Sequence, residues 1–218
     1  MAAAPEKLAT LQHLLTERFP TARRPPGRAL RTGLPALDDG TGGLPLGAVT
    51  ELVCAAPSCG GQLFLEQLLA ATRATRTRVA LVDSSDSFDP ASCPADLLAH
   101  LVWVRGGPAS PTAAALAAAD LLTRDANFGL VVLDLRRADK RELRRTPSTF
   151  WYRLQRAVEP ADLALVVITP RASVPSAQLR LVLNTSHSVN ALALERPALS
   201  ITLAPALQRQ RVSLAAGQ

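Results

Sequence analysis

The chain of 218 residues is 48% apolar and 19% charged, a balance that excludes an intrinsically disordered protein and predicts one globular domain. Its net charge of +6 comes almost wholly from arginine, since only two of the 24 basic residues are lysines. Guanidinium groups suit phosphate and carboxylate ligands, although an arginine bias of the genome would give the same count. No stretch approaches the roughly 18 apolar residues of a membrane span and the first residues lack a signal-peptide pattern, so we expect a cytoplasmic protein that does not bind membranes.

The cysteines and histidines give no indication of a metal site. Three cysteines, at positions 54, 59 and 93, are odd in number and lack C-x-x-C spacing, so they indicate neither a disulfide framework nor a zinc site. The histidines at 13, 100 and 187 are isolated in sequence, and we expect surface or hydrogen-bonded side chains rather than ligands. The sequence therefore predicts no metal and no cofactor.

The first residues predict a helix on an arm. Residues 6–19 place four apolar side chains at three- and four-residue spacing, which makes one stripe on a short helix ended by Pro20: Leu8, Leu11, Leu15 and Phe19. A stretch rich in proline and arginine follows and reads as an extended linker. We therefore divide the chain into an arm at residues 1–31, whose helix is a candidate protein-interaction element, and a core domain at residues 32–218.

From Val49 onward, apolar runs alternate with helical patterns. AVTELV, RVALVDSS, GLVVLDLR and LALVVITP are continuous apolar runs bounded by turns, and helix-like segments separate them. Such runs are typical of parallel strands buried on both faces and linked by crossover helices. After Pro170, QLRLVLN, SVNALALE and ALSITLAP are short alternating segments that predict an antiparallel extension. The predicted fold is an α/β domain with a mostly parallel central sheet.

The turn-rich entry to the first strand carries a family resemblance. The chain resembles the RecA/KaiC-type ATPases, whose TGxxxLD…GGLPxG entry matches Thr32, Gly33, Leu37, Asp38, Gly42, Gly43, Leu44, Pro45 and Gly47. Glu51 matches the acidic residue on the strand that leads into their phosphate loop, and LVDSSDSFDP at 81–90 is similar to a RecA stretch. The resemblance implies a RecA-like three-layer domain over roughly residues 30–205.

The phosphate loop departs from the family pattern. A working loop reads G-x-x-x-x-G-K-[ST], in which backbone N–H groups surround the phosphates, the lysine contacts the β and γ oxygens and the hydroxyl binds Mg²⁺. Counted from Glu51 without a gap, Gly60 stands at the lysine position; with one extra loop residue, which keeps the following helix in register, Gly61 stands there and Gln62 replaces the hydroxyl. No lysine occurs between positions 7 and 140. Either alignment predicts a degenerate loop.

Other catalytic positions of the family are altered as well. The glutamate that orients water in RecA aligns with Ser85, and the strand-end Asn-Gln pair aligns with Thr169 and Pro170. Asp134 remains at the metal-positioning strand end, where it is either a strand-end cap or a Mg²⁺ ligand. We therefore predict a pseudo-ATPase without catalytic residues, and take as the degenerate nucleotide-binding position Ser58, Gly60, Gly61, Gln62 and Asp134. The residues expected to fill or stiffen the space of the phosphates are Ala55, Ala56, Pro57 and Cys59.

A basic segment follows Asp134, with Trp151 and Tyr152 nearby. Its candidate residues for binding DNA or an acidic partner are Arg136, Arg137, Lys140, Arg141, Arg144 and Arg145. The equivalent RecA stretch contains a DNA-contacting loop, and arginine beside aromatic side chains can hold phosphates and stack bases. A solvated helix with the aromatic side chains in the core is the alternative. RASVPSA at 171–177 stands where a second RecA DNA loop is expected and is short.

A short RecA-like chain with a degenerate loop and an N-terminal helix is similar to the ImuA family. That resemblance implies an accessory role in SOS-induced translesion synthesis and mutagenesis, with an ImuB-type polymerase-like protein as partner. RecA, DNA and a second copy of the chain are the further partners that it implies. Two alternatives remain open from the sequence: a weak ATP-binding recombinase paralogue, and a SulA-like inhibitor of cell division.

Overall fold

A seven-stranded sheet forms the centre of the described fold. The computed structural model describes residues 28–107 and 112–211, so the predicted arm helix lies outside the described residues, with Leu8, Leu11, Leu15 and Phe19. The strands of the sheet are β3 Ala48–Cys54, β4 Val79–Asp83, β5 Leu101–Arg105, β6 Leu130–Asp134, β7 Ala164–Thr169, β8 Leu179–Leu183 and β9 Ala206–Gln210. Their order in the sheet is β5-β4-β6-β7-β3-β8-β9. The six strands β3 to β8 are parallel to one another, and β9 is antiparallel to β8.

Helices cover both faces of this sheet. They are α1 Pro35–Thr41, α2 Gly61–Ala74, α3 Ala95–Leu98, α4 Thr112–Leu122, α5 Lys140–Arg145, α6 Ser148–Val158 and α7 Arg196–Ile201. Alternate residues of a strand point to opposite faces, so on β6 the side chains of Leu130 and Val132 pack with α2 while Val131 and Leu133 pack with α4 and α6. The fold therefore has three layers, helices on both sides of a sheet, which is the predicted α/β class. Among the described residues, no helix has the length and apolar content that crossing a membrane requires.

The TGxxxLD motif builds the entrance to the sheet. Two short strands, β1 Ala29–Leu30 and β2 Leu44–Pro45, pair antiparallel on either side of α1. The carboxylate of Asp38 accepts hydrogen bonds from the backbone N–H groups of Thr32 and Gly33 and from the Thr32 hydroxyl, at 2.8–3.2 Å. Leu37, one residue earlier, is buried in the core. The spacing between the threonine and the aspartate of the motif is thus the spacing of one hydrogen-bonded turn.

The chain beyond β7 corrects the prediction of several antiparallel strands. QLRLVLN forms β8, which is parallel to β3; SVNALALE contains a 3₁₀ turn at Val189–Ala193; and ALSITLAP contains the end of α7. Within the seven-stranded sheet of the described residues, β9 is the one antiparallel strand. Short apolar runs do not distinguish a strand from a short helix, because both place one apolar face on the core. The predicted class of sheet is confirmed, while its extension has one antiparallel strand.

The parallel strands bring their carboxyl ends to one edge of the sheet. Val53 of β3 pairs with Thr169 at the end of β7, and Asp83 at the end of β4 pairs with Asp134 at the end of β6. In open α/β sheets this edge is where ligands bind, since the loops that follow the strands meet there. The predicted site residues that follow β3 and β6 are therefore neighbours in space.

Candidate functional site

The segment between β3 and α2 forms a strand-loop-helix turn at this edge. Ser58 and Gly60 have left-handed backbones, with φ of 50° and 88°, and Gly60 stands immediately before the first residue of α2, Gly61. The chain that follows β8 fixes this loop, because the His187 N–H donates to the Ser58 carbonyl at 3.0 Å and the Ser186 hydroxyl donates to the Pro57 carbonyl at 2.7 Å. The loop has the position and the turn of a phosphate loop.

A cavity of about 960 Å³ opens beside this loop. It is lined by loop residues 54–61, by Gln62 and Leu63 of α2, by basic residues, and by the chain after β8. The side chains expected to fill the phosphate space line the cavity instead: Ala55, Ala56, Pro57 and Cys59. They are small and leave this cavity open. The cavity is therefore not filled by them, while the expectation that they stiffen the loop stays a prediction.

The Asp134 carboxylate forms an ion pair with Arg136. Its carboxylate is 1% exposed and accepts hydrogen bonds from the guanidinium of Arg136, with Nη2 at 2.5 Å and Nε at 2.9 Å and 3.0 Å. Burial acts to lower the pKa of Arg136, but the charge and hydrogen bonds of Asp134 outweigh it and raise that pKa above its ordinary value. Arg136 Nη1 lies 2.8 Å from where a Cβ on Gly61 would stand. The guanidinium thus rests between the strand end and the first turn of α2.

A solved structure has a similar fold. The RadB recombinase crystal structure superimposes with a TM-score of 0.55 and 18% sequence identity, over 70% of this chain and 82% of that chain. The fold is RecA-like. No protein-family model matches the chain, and no curated protein matches it. The likeness to RadB defines the fold alone, and the expectation of a RecA-like domain is confirmed by it.

The Cys54 thiol, at the start of the RecA-like loop, has a raised pKa. Burial raises the pKa of the Cys54 thiol far above its ordinary value, and the nearby Cys59 thiol and the Asp134 carboxylate raise it further, while Arg136 acts in the opposite direction. A protonated thiol is a poor nucleophile and a poor metal ligand. Among the described residues, no group of three or more histidines, cysteines and carboxylates could hold a metal ion.

The residues after β4 are also held by internal contacts. Ser85, which aligns with the water-orienting glutamate, donates its N–H to Asp83, and the buried Asp83 carboxylate also accepts from the Phe88 N–H at 2.8 Å. Asp86 forms two hydrogen bonds with Arg105 at 2.7 Å and 2.8 Å, and these bonds lower the pKa of Asp86. Each carboxylate of this turn therefore holds the turn in shape.

Glu51 organises the segment that stands in place of the second DNA loop. Its carboxylate is fully buried and accepts a hydrogen bond from Arg180 Nε at 2.6 Å and one from the Thr169 hydroxyl at 3.0 Å. The N–H groups of Ser173 and Val174 donate to it at 2.6 Å and 3.1 Å. A buried charge is stable only when it is paired and hydrogen-bonded in this way. The short segment after β7 is thus packed against the domain.

The RecA-like fold divides the predicted basic segment into two groups. Arg136, Arg137 and Lys140 line the cavity beside the loop. The other three arginines, which are exposed on α5, are Arg141, Arg144 and Arg145. Trp151 is buried, as the core alternative requires, whereas half of Tyr152 is exposed. The sequence offered no lysine near the loop, but the strand order brings Lys140 to its cavity from 80 positions away in the chain.

Gly60 offers a direct test of the loop conformation. We expect Gly60→Ala to lower the free energy of unfolding by about 1–3 kcal/mol, because φ of 88° is strained for any other residue and the new Cβ would stand 2.5 Å from Leu203 Cδ2. Gly40→Ala is the matched control, since Gly40 lies in α1 with nothing within 4 Å of its Cβ position. That variant should be as stable as the parent or more so. Urea denaturation measures both; equal losses in the two variants would contradict the assigned loop.

Proposed function

We propose that this chain is a non-catalytic RecA-like accessory protein of SOS-induced, error-prone translesion synthesis. It acts by binding an ImuB-type polymerase-like protein, with RecA, DNA and a second copy of the chain as further partners. One observation carries the non-catalytic part: beside a loop without lysine, the Asp134 carboxylate is ion-paired with Arg136. A metal ion in the cavity would have to compete with the guanidinium of Arg136 for this carboxylate.

The chemistry of the loop supports the same conclusion. Loss of the lysine removes a charge-assisted contact of roughly 1.5–3 kcal/mol, and loss of the water-orienting acid removes a general base that contributes about a hundredfold or more. Ser85, at the acid position, has a hydroxyl that is not basic at neutral pH. The two losses act on the same step and together argue against hydrolysis of ATP.

The absence of hydrolysis is tested with purified chain, ATP and Mg²⁺, with and without single-stranded DNA. We expect no phosphate release above that of a Lys140→Ala variant prepared in parallel, because residual signal in both would come from a shared contaminant. Lys140 is the lysine at the cavity and is exposed, so its removal leaves the fold intact. Turnover that exceeds the variant's rate tenfold would contradict the pseudo-ATPase assignment.

The translesion role rests on the resemblance to the ImuA family, which is carried by a short RecA-like chain with a degenerate loop and a predicted N-terminal helix. Its test is genetic and biochemical: deletion of the gene should abolish damage-induced mutagenesis in the source organism, and the chain should co-purify with a polymerase-like protein. Co-purification with the division GTPase instead would favour the SulA-like alternative. Mutagenesis that is unchanged by the deletion would exclude the translesion role.

The open cavity favours a second candidate, a weak ATP-binding recombinase paralogue. A volume of about 960 Å³ with basic residues at its rim is large enough for a nucleotide. Isothermal titration with ATP and Mg²⁺ distinguishes the two candidates. Micromolar binding that requires Mg²⁺ would support the recombinase paralogue, whereas heat indistinguishable from dilution supports the accessory protein.

A further inference from the structure

Arg136, Arg137 and Lys140 form a basic wall of the cavity beside the loop. The residues that line the cavity include no aspartate and no glutamate. They include four basic side chains, which are Arg136, Arg137, Lys140 and Arg196. Asp134 pairs with Arg136, and Glu66 pairs with Arg196 at 2.8 Å. Within the described ranges, the exposed side chains of Arg137 and Lys140 have no ion-pair partner. These two cations give the cavity its attraction for anions.

Another part of the cavity lining, the aliphatic wall, is exposed to solvent. It is formed by the chain between β8 and β9, where Val189 is 80% exposed and Leu194 is 54% exposed, with Ala191 and Leu199 beside them. The hydrogen bond from His187 to Ser58 and the ion pair of Arg196 with Glu66 hold this wall against the loop and α2. Exposure of large aliphatic side chains to water is unfavourable, and a partner that covers them lowers the free energy.

A ligand that fits both walls carries both carboxylates and aliphatic groups. We propose that the cavity binds an acidic, leucine-containing peptide segment of a protein partner. Carboxylates would meet Arg137 and Lys140, while the aliphatic side chains of the segment would cover Val189 and Leu194. The proposal deepens the accessory role above and rests on it in one respect, namely that the chain acts by binding a protein.

Nucleic acid fits the cavity less well than a peptide does. Single strands bind where bases stack on aromatic side chains, and the side chains that line this cavity include no tryptophan, tyrosine or phenylalanine. A phosphodiester strand would satisfy Arg137 and Lys140 but would leave the aliphatic wall against charged phosphates. A peptide of alternating acidic and apolar residues matches the pattern of both walls, and charge complementarity sets its orientation.

The test measures binding of a short fluorescein-labelled peptide of alternating aspartate and leucine to the full chain. Fluorescence anisotropy of the labelled peptide reports the binding. We expect saturable binding that weakens as salt is raised. Arg137→Glu combined with Lys140→Glu should weaken it at least tenfold, because both cations become repulsive. The matched control is Arg78→Glu with Arg156→Glu, which changes the net charge equally at exposed arginines outside the cavity and outside α5 and should leave the affinity within twofold.

A second pair of variants tests the aliphatic wall. Val189→Asp should weaken binding of the same peptide about tenfold, whereas Leu121→Asp, a matched change at a residue that is 72% exposed on α4, should not. Both side chains are exposed, so neither change should disturb folding, and thermal melting checks this. A peptide of alternating lysine and leucine should not bind.

Several results would overturn the proposal. They are an absence of binding, equal loss in the control variants, and equal affinity for an all-aspartate peptide, which would remove the aliphatic wall from recognition. Displacement of the peptide by pyrophosphate at micromolar concentration would assign the cavity to a small anion, and displacement by an oligothymidylate would assign it to DNA. The accessory role is measured separately by mutagenesis and co-purification, so its failure and the failure of this site remain distinguishable.

Discussion

We expect Glu51→Gln to lower the free energy of unfolding by about 3–5 kcal/mol. The substitution keeps the size of the side chain but removes the charge, and Arg180, whose side chain is 11% exposed, is left as a buried cation without its counter-ion. Breaking one half of a buried pair costs this much because the remaining charge has lost the solvent that would otherwise stabilise it. The amide can also accept fewer of the hydrogen bonds that converge on Glu51 from β7, β8 and the segment between them.

Urea denaturation followed by circular dichroism measures this loss. Asp96→Asn is the control, because Asp96 and Arg73 form an exposed ion pair on the surface and solvent already screens it; little change is expected there. Glu51→Leu combined with Arg180→Leu should recover part of the lost stability, since replacing both partners by apolar groups removes the uncompensated charge. A Glu51→Gln variant as stable as the control would show that the buried pair does not hold the domain together.

The second large effect is expected at α5. Reversal of its three exposed arginines, at 141, 144 and 145, to glutamate should abolish salt-sensitive binding of single-stranded DNA. Leu143 is buried and anchors the helix, and the Asp139 carboxylate caps its first turn, so the three guanidinium groups are presented to solvent from a fixed element. For any binding that remains, loss of three phosphate contacts should reduce the slope of log affinity against log salt by about 2.

A charge-matched control separates this effect from net charge alone. Arg73, Arg124 and Arg156 are exposed arginines on other elements, and their reversal to glutamate changes the net charge by the same amount. We expect that variant to retain most of its affinity and its salt slope. If both triple variants lose affinity equally, DNA binding follows overall charge; if neither does, α5 is a solvated helix. Filter binding at several salt concentrations measures both.

Much of the RecA-like fold could be predicted from the sequence because the strands are continuous apolar runs. β4, β6 and β7 are buried on both faces, so each element carries its own signal and needs no knowledge of its neighbours. The TGxxxLD entry could be predicted equally well, since Thr32 and Asp38 form one local turn. In contrast, short amphipathic segments such as α7 carry no such signal, and they were interpreted as strands.

The site was predictable only where one segment carries it. The absence of lysine in the loop and the presence of Asp134 are local facts, but the cation that pairs with Asp134 was identified as part of a DNA-binding segment. That Arg136, Arg137 and Lys140 face the loop follows from the position of β6 two strands away from β3, with β7 between them. The aliphatic wall depends on a chain reversal more than 120 positions beyond the loop, and no pattern in the sequence links the two.

The pairing of Asp134 with a residue only two positions later has a consequence for the energetics of the whole molecule. A buried carboxylate that took its counter-ion from solution would link the free energy of unfolding to the concentration of that ion. Asp134 instead takes its counter-ion from Arg136, two residues later in its own chain. We therefore expect the free energy of unfolding to be the same with Mg²⁺ and with a chelator, as far as this carboxylate is concerned.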